Sequence, residues 1–194
     1  MEHSNNPSQG TAPTTGAGSA AYAVSILEIL KALGIPETYG AERGLELQPE
    51  ARELEVARVV ADGRRIELDP TAAAAWRAMV SAAESEEITL LLISGFRSVR
   101  RQQEILERKL AAGETIGSIL RVNAAPGYSE HHTGRAVDIG TPGCPPLEER
   151  FEETAAYGWL SRNAGRFRFS LSYPRGNPNG IIYEPWHWLH RSRC

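Results

Sequence analysis

Cysteine is nearly absent: Cys144 and Cys194 are the only two in the 194 residues. Two thiols cannot build a dense disulfide framework or a Cys-rich zinc site. A long apolar run is also missing, since none approaches the roughly 20 residues that a transmembrane helix requires. Nor is positive charge in excess. Lys+Arg is 21 against Asp+Glu 24, a net charge of -3, so bulk electrostatics give no support to nucleic-acid or membrane-surface binding. What remains is 41% hydrophobic and 23% charged, which excludes full disorder and fits one globular domain with or without a tail.

Residues 1–20 are rich in Gly, Ser, Thr, Pro and Asn and lack a periodic apolar face. They read as a disordered tail ahead of one domain over 21–194. Glu2 stands where a signal peptide would need positive charge. The expected compartment is therefore the cytoplasm, or the envelope if an export signal has been removed. Residues 23–36 form the first helix candidate, stopped by Gly34 and Pro36. Val56 to Val60 and Arg65 to Leu68 flank Ala61-Asp62-Gly63 as a hairpin. Asp69-Pro70 reads as a cap and first helical position for the alanine-rich helix that follows. Ile88 to Ile93 suggests a buried central strand. Ser98 caps a helix to about Ala112, and 114–121 suggests a further helical turn. Short strands are expected at 136–139, 168–173 and 181–188, with an amphipathic helix over 147–163. No regular βαβ alternation appears, so the fold class is α+β.

Four of the five histidines fall in two clusters, Ser129-Glu130-His131-His132-Thr133-Gly134-Arg135-Ala136-Val137-Asp138 and Glu184-Pro185-Trp186-His187-Trp188-Leu189-His190. A hydrolytic zinc site needs three N or O ligands and one open position for water. His131, Asp138 and His187 can supply two imidazoles and a carboxylate, with His132 and His190 as fallback ligands. Glu184 is the natural base. His131 and Asp138 would stand roughly 23 to 25 Å apart on extended chain, so the segment between them must fold back, and Gly134 can allow this. In an ideal strand Glu184 and His187 point to opposite faces. They converge only through an irregularity, for which Pro185 is a plausible cause. Taken singly, each of these residues also has an ordinary reading as a loop residue, a turn cap or a surface charge.

With these residues in view, the chain resembles the VanY-type D-alanyl-D-alanine carboxypeptidases, within the LAS zinc peptidases. Three blocks carry the resemblance. One is Ser94-Gly95-Phe96-Arg97-Ser98 followed by Gln102, with Phe96 where the family usually has tyrosine. The second is S-x-H-x-x-G-x-A-x-D, met by Ser129, His131, Gly134, Ala136 and Asp138. The third is E-x-x-H-W, met by Glu184, His187 and Trp188. Leu171-Ser172-Tyr173-Pro174 also looks like the family. The resemblance covers residues 70–190 as a catalytic core and leaves 21–69 as an N-terminal subregion that supports the fold or covers the cleft.

The resemblance implies a small antiparallel sheet flanked by helices around a zinc cleft. It implies one zinc ion on His131, Asp138 and His187, with Glu184 as general base and then acid. It implies that Arg97 acts on the developing oxyanion or on substrate carboxylate groups, and that Gln102 and Ser129 bind the peptide. Trp186, Trp188 and Tyr128 are candidates for the channel wall, with core packing as the alternative. Cys144 reads as incidental. The expected function is a zinc carboxypeptidase that removes the C-terminal D-alanine of peptidoglycan stem peptides or muropeptides, D,D- or L,D-specific, acting as a monomer. The rivals are an endopeptidase of the same fold and a non-catalytic stem-peptide-binding module.

Overall fold

A computed structural model describes residues 16–191 of the chain. Most of the expected tail, residues 1–15, lies outside the described residues, as do His3 and Cys194. The first helix, α1 (Gly16–Ala32), reaches back into the segment read as tail. A short α2 (Tyr39–Arg43) follows, then the hairpin of β1 (Glu55–Val59) and β2 (Arg65–Leu68), paired antiparallel. Asp69 caps α3 (Pro70–Glu84) as expected, its carboxylate accepting from the backbone of Thr71 at 2.9 Å and Ala72 at 3.2 Å.

Next come β3 (Leu91–Ser94), α4 (Val99–Ala111), α5 (Ile116–Val122), a 3-10 turn at Glu130–Thr133, and β4 (Ala136–Gly140). The chain closes with α6 (Ala155–Asn163), β5 (Phe169–Leu171) and β6 (His187–His190). Strands β3 to β6 form one antiparallel sheet in the order β3-β4-β6-β5. The α+β expectation is met by this arrangement. Among the described residues no helix is long and apolar enough to cross a membrane.

Two expectations need correction. The apolar run Ile88 to Ile93 leads into an edge strand, β3, which starts only at Leu91, not into a central one. Leu92 is nonetheless buried, because the hairpin closes the outer side. There the Phe96 N–H donates to the Glu67 carbonyl at 2.8 Å, and Arg58 donates to the Leu92 carbonyl at 2.7 Å. A continuous apolar run reports burial on both faces, and that burial does not require a strand on each side. The single helix expected over 147–163 is broken. A 3-10 turn at Glu149–Glu153 precedes α6, and the Thr154 hydroxyl caps α6 by accepting from Tyr157. Phe151, Trp159 and Leu160 still point inward.

Alternation on the sheet sets the position of everything else. Val137, Ile139 and Trp188 turn to one face and join Met79, Phe151 and Trp159 in a core under α3 and α6. Asp138 and His187 therefore turn to the other face. A second core, with Ile26, Leu30, Leu106 and Ile119, gathers α1, α2, α4 and α5. Tyr173 and Ile181 from that core and Trp186 from the first line one cavity, so the cleft lies where the two cores meet.

The N-terminal subregion braces this cleft from behind. The backbone N–H groups of Ala51 and Asp69 donate to the carbonyls of His132 and Gly134 at 2.8 and 2.9 Å. Gln48 donates to the Gly127 carbonyl at 2.8 Å. Glu50 accepts from the backbone of Val99 at the start of α4.

Asp69→Ala removes the α3 cap and is expected to cost about 1 kcal/mol. Urea denaturation should show a lower midpoint with unchanged slope. An unchanged midpoint would mean that the cap carries no stability.

Candidate active site

Asp138 and His187 are direct neighbours across β4 and β6, with their Cα atoms in register. Directly opposed residues of an antiparallel pair bring their side chains together on one face. Here the Asp138 Oδ1 lies 3.0 Å from His187 Nδ1. His131 arrives from the 3-10 turn. Gly134 then reverses the chain with φ +66, and a Cβ on it would sit 2.8 Å from the Asp69 backbone nitrogen. Glycine is required there both for its conformation and for the close approach. The reversal brings His131 Nε2 within 3.3 Å of Asp138 Oδ2.

Glu184 and His187 do converge through an irregularity. The expected strand over 181–188 is replaced by a turn at Pro185-Trp186, with the His187 N–H donating to the Glu184 carbonyl at 3.1 Å, and β6 starts only at His187. The turn places the Glu184 carboxylate 3.9 Å from His187 Nδ1.

Arg97 follows β3. Its N–H donates to the His131 carbonyl at 3.1 Å, and its guanidinium donates to Gln102 Oε1 at 2.9 Å. Gln102 is fully buried on α4, and its Nε2 donates to the Ala124 carbonyl at 2.7 Å. Gly95, between β3 and Arg97, has no room for a side chain: a Cβ would meet the Glu67 carbonyl at 2.5 Å. The Gly95 carbonyl lies 2.7 Å from His131 Nδ1. A carbonyl only accepts, so Nδ1 carries the proton and the Nε2 lone pair faces Asp138.

His132, a fallback ligand in the sequence reading, cannot serve. Its Nε2 accepts from the Gly127 N–H at 3.0 Å, and its Nδ1 lies 2.6 Å from the Arg97 carbonyl. Both ring nitrogens are spent on the backbone, and burial pushes its pKa down to about 4. His190, the other fallback, packs at a tilt against Phe169 on the opposite face of the strand from His187. Tyr128 packs edge-on against Tyr39 in the second core and is not among the cavity-lining residues. Trp188 is a core residue whose indole donates to the Pro185 carbonyl at 3.0 Å. Ser129 and Trp186 are buried and line the cavity. Phe96 is absent from the lining, and Cys144 is a free thiol away from it.

Sequence reasoning gave two further residues no role. Glu130 places Oε2 2.9 Å from His187 Nε2. Tyr173 lies with its ring 5.0 Å from that of His187, and its carbonyl accepts from the Glu184 N–H at 3.1 Å. Neither had a spacing signal, because the partner of Glu130 is 57 residues away.

His131, Asp138, Glu184, His187 and Arg97 all border one cavity of about 300 Å³. Burial pushes Glu184 up to about 7, against the pull of His187 and Arg97. Burial also lowers Arg97, opposed by Asp138 and Glu184. Burial would raise Asp138, but His131 and His187 hold it far below the ordinary carboxylate range. Burial would lower His187, but its bonds to Asp138 and Glu130 push it up to about 10. Glu130 likewise stays low despite burial, through its bond to His187.

Donor atoms from His131, Asp138 and His187 lie within 4.8 Å of one another. A neutral His131 aims a lone pair at a carboxylate oxygen, an arrangement that a cation between them resolves. Two imidazoles and one carboxylate with space beside them match the donor set of a catalytic zinc site.

The family model for VanY, D-alanyl-D-alanine carboxypeptidase, matches residues 65–193. The chain belongs to the VanY family. It is 38% identical to YodJ of Bacillus subtilis over 121 residues, 60% of this chain and 43% of YodJ. Among solved structures it resembles the LD-carboxypeptidase LdcB, with 32% identity, a TM-score of 0.66, and coverage of 73% of this chain and 69% of LdcB. It also resembles a vancomycin-resistance D,D-pentapeptidase VanY in complex with Zn(II), with 29% identity, a TM-score of 0.57, and coverage of 74% and 80%. The chain spans less than half the length of YodJ. The VanY match begins inside β2, close to the start expected for the catalytic core, and leaves α1, α2 and β1 outside it.

The two adjacent histidines should separate cleanly on substitution. His131→Ala is expected to abolish zinc binding in a chelator-competition titration. His132→Ala should keep the three ligands but lose about 1–3 kcal/mol of stability, because the Gly127 N–H is left buried without its acceptor. Zinc loss in the second variant at unchanged stability would reverse the assignment.

Proposed function

We propose that the protein is a zinc carboxypeptidase that removes the C-terminal D-alanine from peptidoglycan stem peptides. The observation that carries this is the convergence of His131, Asp138 and His187 beside the Glu184 carboxylate in a cavity that also presents Arg97. When bound by the three ligands, the zinc supplies a Lewis acid and lowers the pKa of a water. Glu184 takes the proton of the attacking water and delivers it to the departing amine nitrogen. A group that must accept and then donate a proton works best with a pKa near the operating pH. Arg97 binds the terminal carboxylate or the developing oxyanion through charge-assisted hydrogen bonds.

Gln102 is assigned an indirect role. Its amide is used by Arg97 and the Ala124 carbonyl, so it aims the guanidinium instead of holding the peptide itself. Ser129 and Trp186 form part of the wall against which the substrate lies. All of these groups come from one chain, so a monomer suffices. The likeness to both an LD-carboxypeptidase and a D,D-pentapeptidase supports the reaction class and leaves both specificities as arms of the assay. Soluble muropeptides assayed beside intact sacculi separate a cytoplasmic role from one in the envelope.

Released D-alanine should be measured from pentapeptide and tetrapeptide side by side. No release from either, with zinc bound, would sink the carboxypeptidase reading. Glu184→Gln should retain zinc and lose roughly 100-fold or more in kcat. The acidic limb of kcat/KM should fall at or below about pH 7, since Glu184 must be deprotonated to act and a nearby cation lowers its pKa from that value. Activity is therefore lost as pH falls through that value.

Arg97 gives a separate test. The enzyme should prefer a free carboxyl terminus to its amide, and Arg97→Met should weaken cleavage of the free acid by roughly 10- to 100-fold while nearly erasing the preference. Equal cleavage of acid and amide by the unaltered protein would indicate an endopeptidase.

A further inference from the structure

Glu130 lies between Ser129 and His131 at the start of the 3-10 turn, and nothing in the sequence reading gave it a role. Its side chain is 15% exposed, and its Oε2 lies 2.9 Å from His187 Nε2. The other nitrogen of that ring faces the site, 3.0 Å from Asp138 and 3.9 Å from Glu184. The two nitrogens thus have separate surroundings: one looks into the cluster and the other rests on a buried carboxylate.

Building on the zinc reading above, we infer that Glu130 is a positioning residue for the metal ligand His187. It accepts the Nε2–H, keeps the ring proton on that nitrogen, and so leaves the Nδ1 lone pair turned to the ion. A neutral imidazole carries one N–H, and the hydrogen bond made by one nitrogen decides which nitrogen is available as a ligand. A carboxylate at that position also raises the basicity of the ligand and fixes the ring plane.

The second imidazole ligand is built the same way with a weaker partner, since the Gly95 carbonyl receives the Nδ1–H of His131 at 2.7 Å. The two histidines therefore use opposite nitrogens. His131 offers Nε2 and His187 offers Nδ1, each chosen by the acceptor behind it. Glu130 also ties the first histidine cluster to the second across 57 residues of sequence. Its own neighbour His131 comes from the same turn, so one short segment supplies a ligand and orients another.

The test is zinc affinity, measured by chelator competition at fixed pH for the full chain and for Glu130→Ala and Glu130→Gln. Alanine should weaken binding by roughly 10- to 100-fold. Glutamine keeps an acceptor oxygen without the charge and should fall between alanine and the unaltered protein. The melting temperature of the zinc-free proteins is read alongside. An affinity loss explained by a matching fall in that temperature would mean general loosening and would overturn the inference. If the alanine variant does not fold, the glutamine variant decides alone, and an affinity within about twofold of the unaltered protein overturns the assignment. A long-range 1H–15N spectrum of the zinc-loaded protein should show His187 protonated at Nε2, and zinc on Nε2 would overturn it too. Failure of the unaltered protein to bind zinc at all refutes the metal reading itself, a result distinct from any of these.

Discussion

The pairing of Asp138 with His187 across β4 and β6 is the constraint on which the rest depends. Antiparallel register places the two side chains opposite each other on the face of the sheet away from α3 and α6. A one-residue slip of either strand would turn its donor residue into the apolar core and its core residue into the cleft. The core residues of these two strands therefore secure the site as firmly as any contact within it. Val137, Ile139 and Trp188 are held by apolar burial, and their alternation leaves the donors no other direction to point.

Around that pair, the cleft concentrates negative charge in a buried place. Asp138, Glu130 and Glu184 surround His187, and Arg97 faces Asp138 and Glu184. Such a cluster is costly without compensation. His131 and His187 respond in opposite ways, one staying neutral behind the Gly95 carbonyl and the other drawn toward protonation. A divalent cation answers both demands at once, which is why the donor set and the electrostatics support the same reading. Backbone groups complete the arrangement. The N-terminal subregion donates to the carbonyls of His132 and Gly134, and His132 locks the Arg97 and Gly127 segments to the turn that carries His131.

Several elements were legible because their signals are local. The hairpin, the Asp69 cap with Pro70, the Ser98 cap of α4 and the short β4 each follow from a few neighbouring residues. The amphipathic pattern over 147–163 overstates the helix, since Thr154 offers its hydroxyl to a new cap in the middle of it. The run Ile88 to Ile93 suggests the centre of the sheet only because apolar content reports burial and is silent on which neighbour provides it. The strand pattern over 181–188 overstates β6 for a related reason. Pro185 marked an irregularity, but its form as a turn depends on the Glu184 carbonyl meeting the His187 N–H.

The sequence by itself determined the chemistry on offer: two histidine clusters, an aspartate, a glutamate and an arginine whose spacing suits a zinc hydrolase, within an α+β chain. Those are properties of residue type and short-range pattern. Tertiary structure alone decided which histidines face the cavity, that His132 is spent on the backbone, that Gln102 is bonded to Arg97, and that Glu130 stands behind His187. The reason is that a ring nitrogen's role is set by the acceptor or donor nearest it in space. Here those neighbours come from strands, turns and loops far apart along the chain.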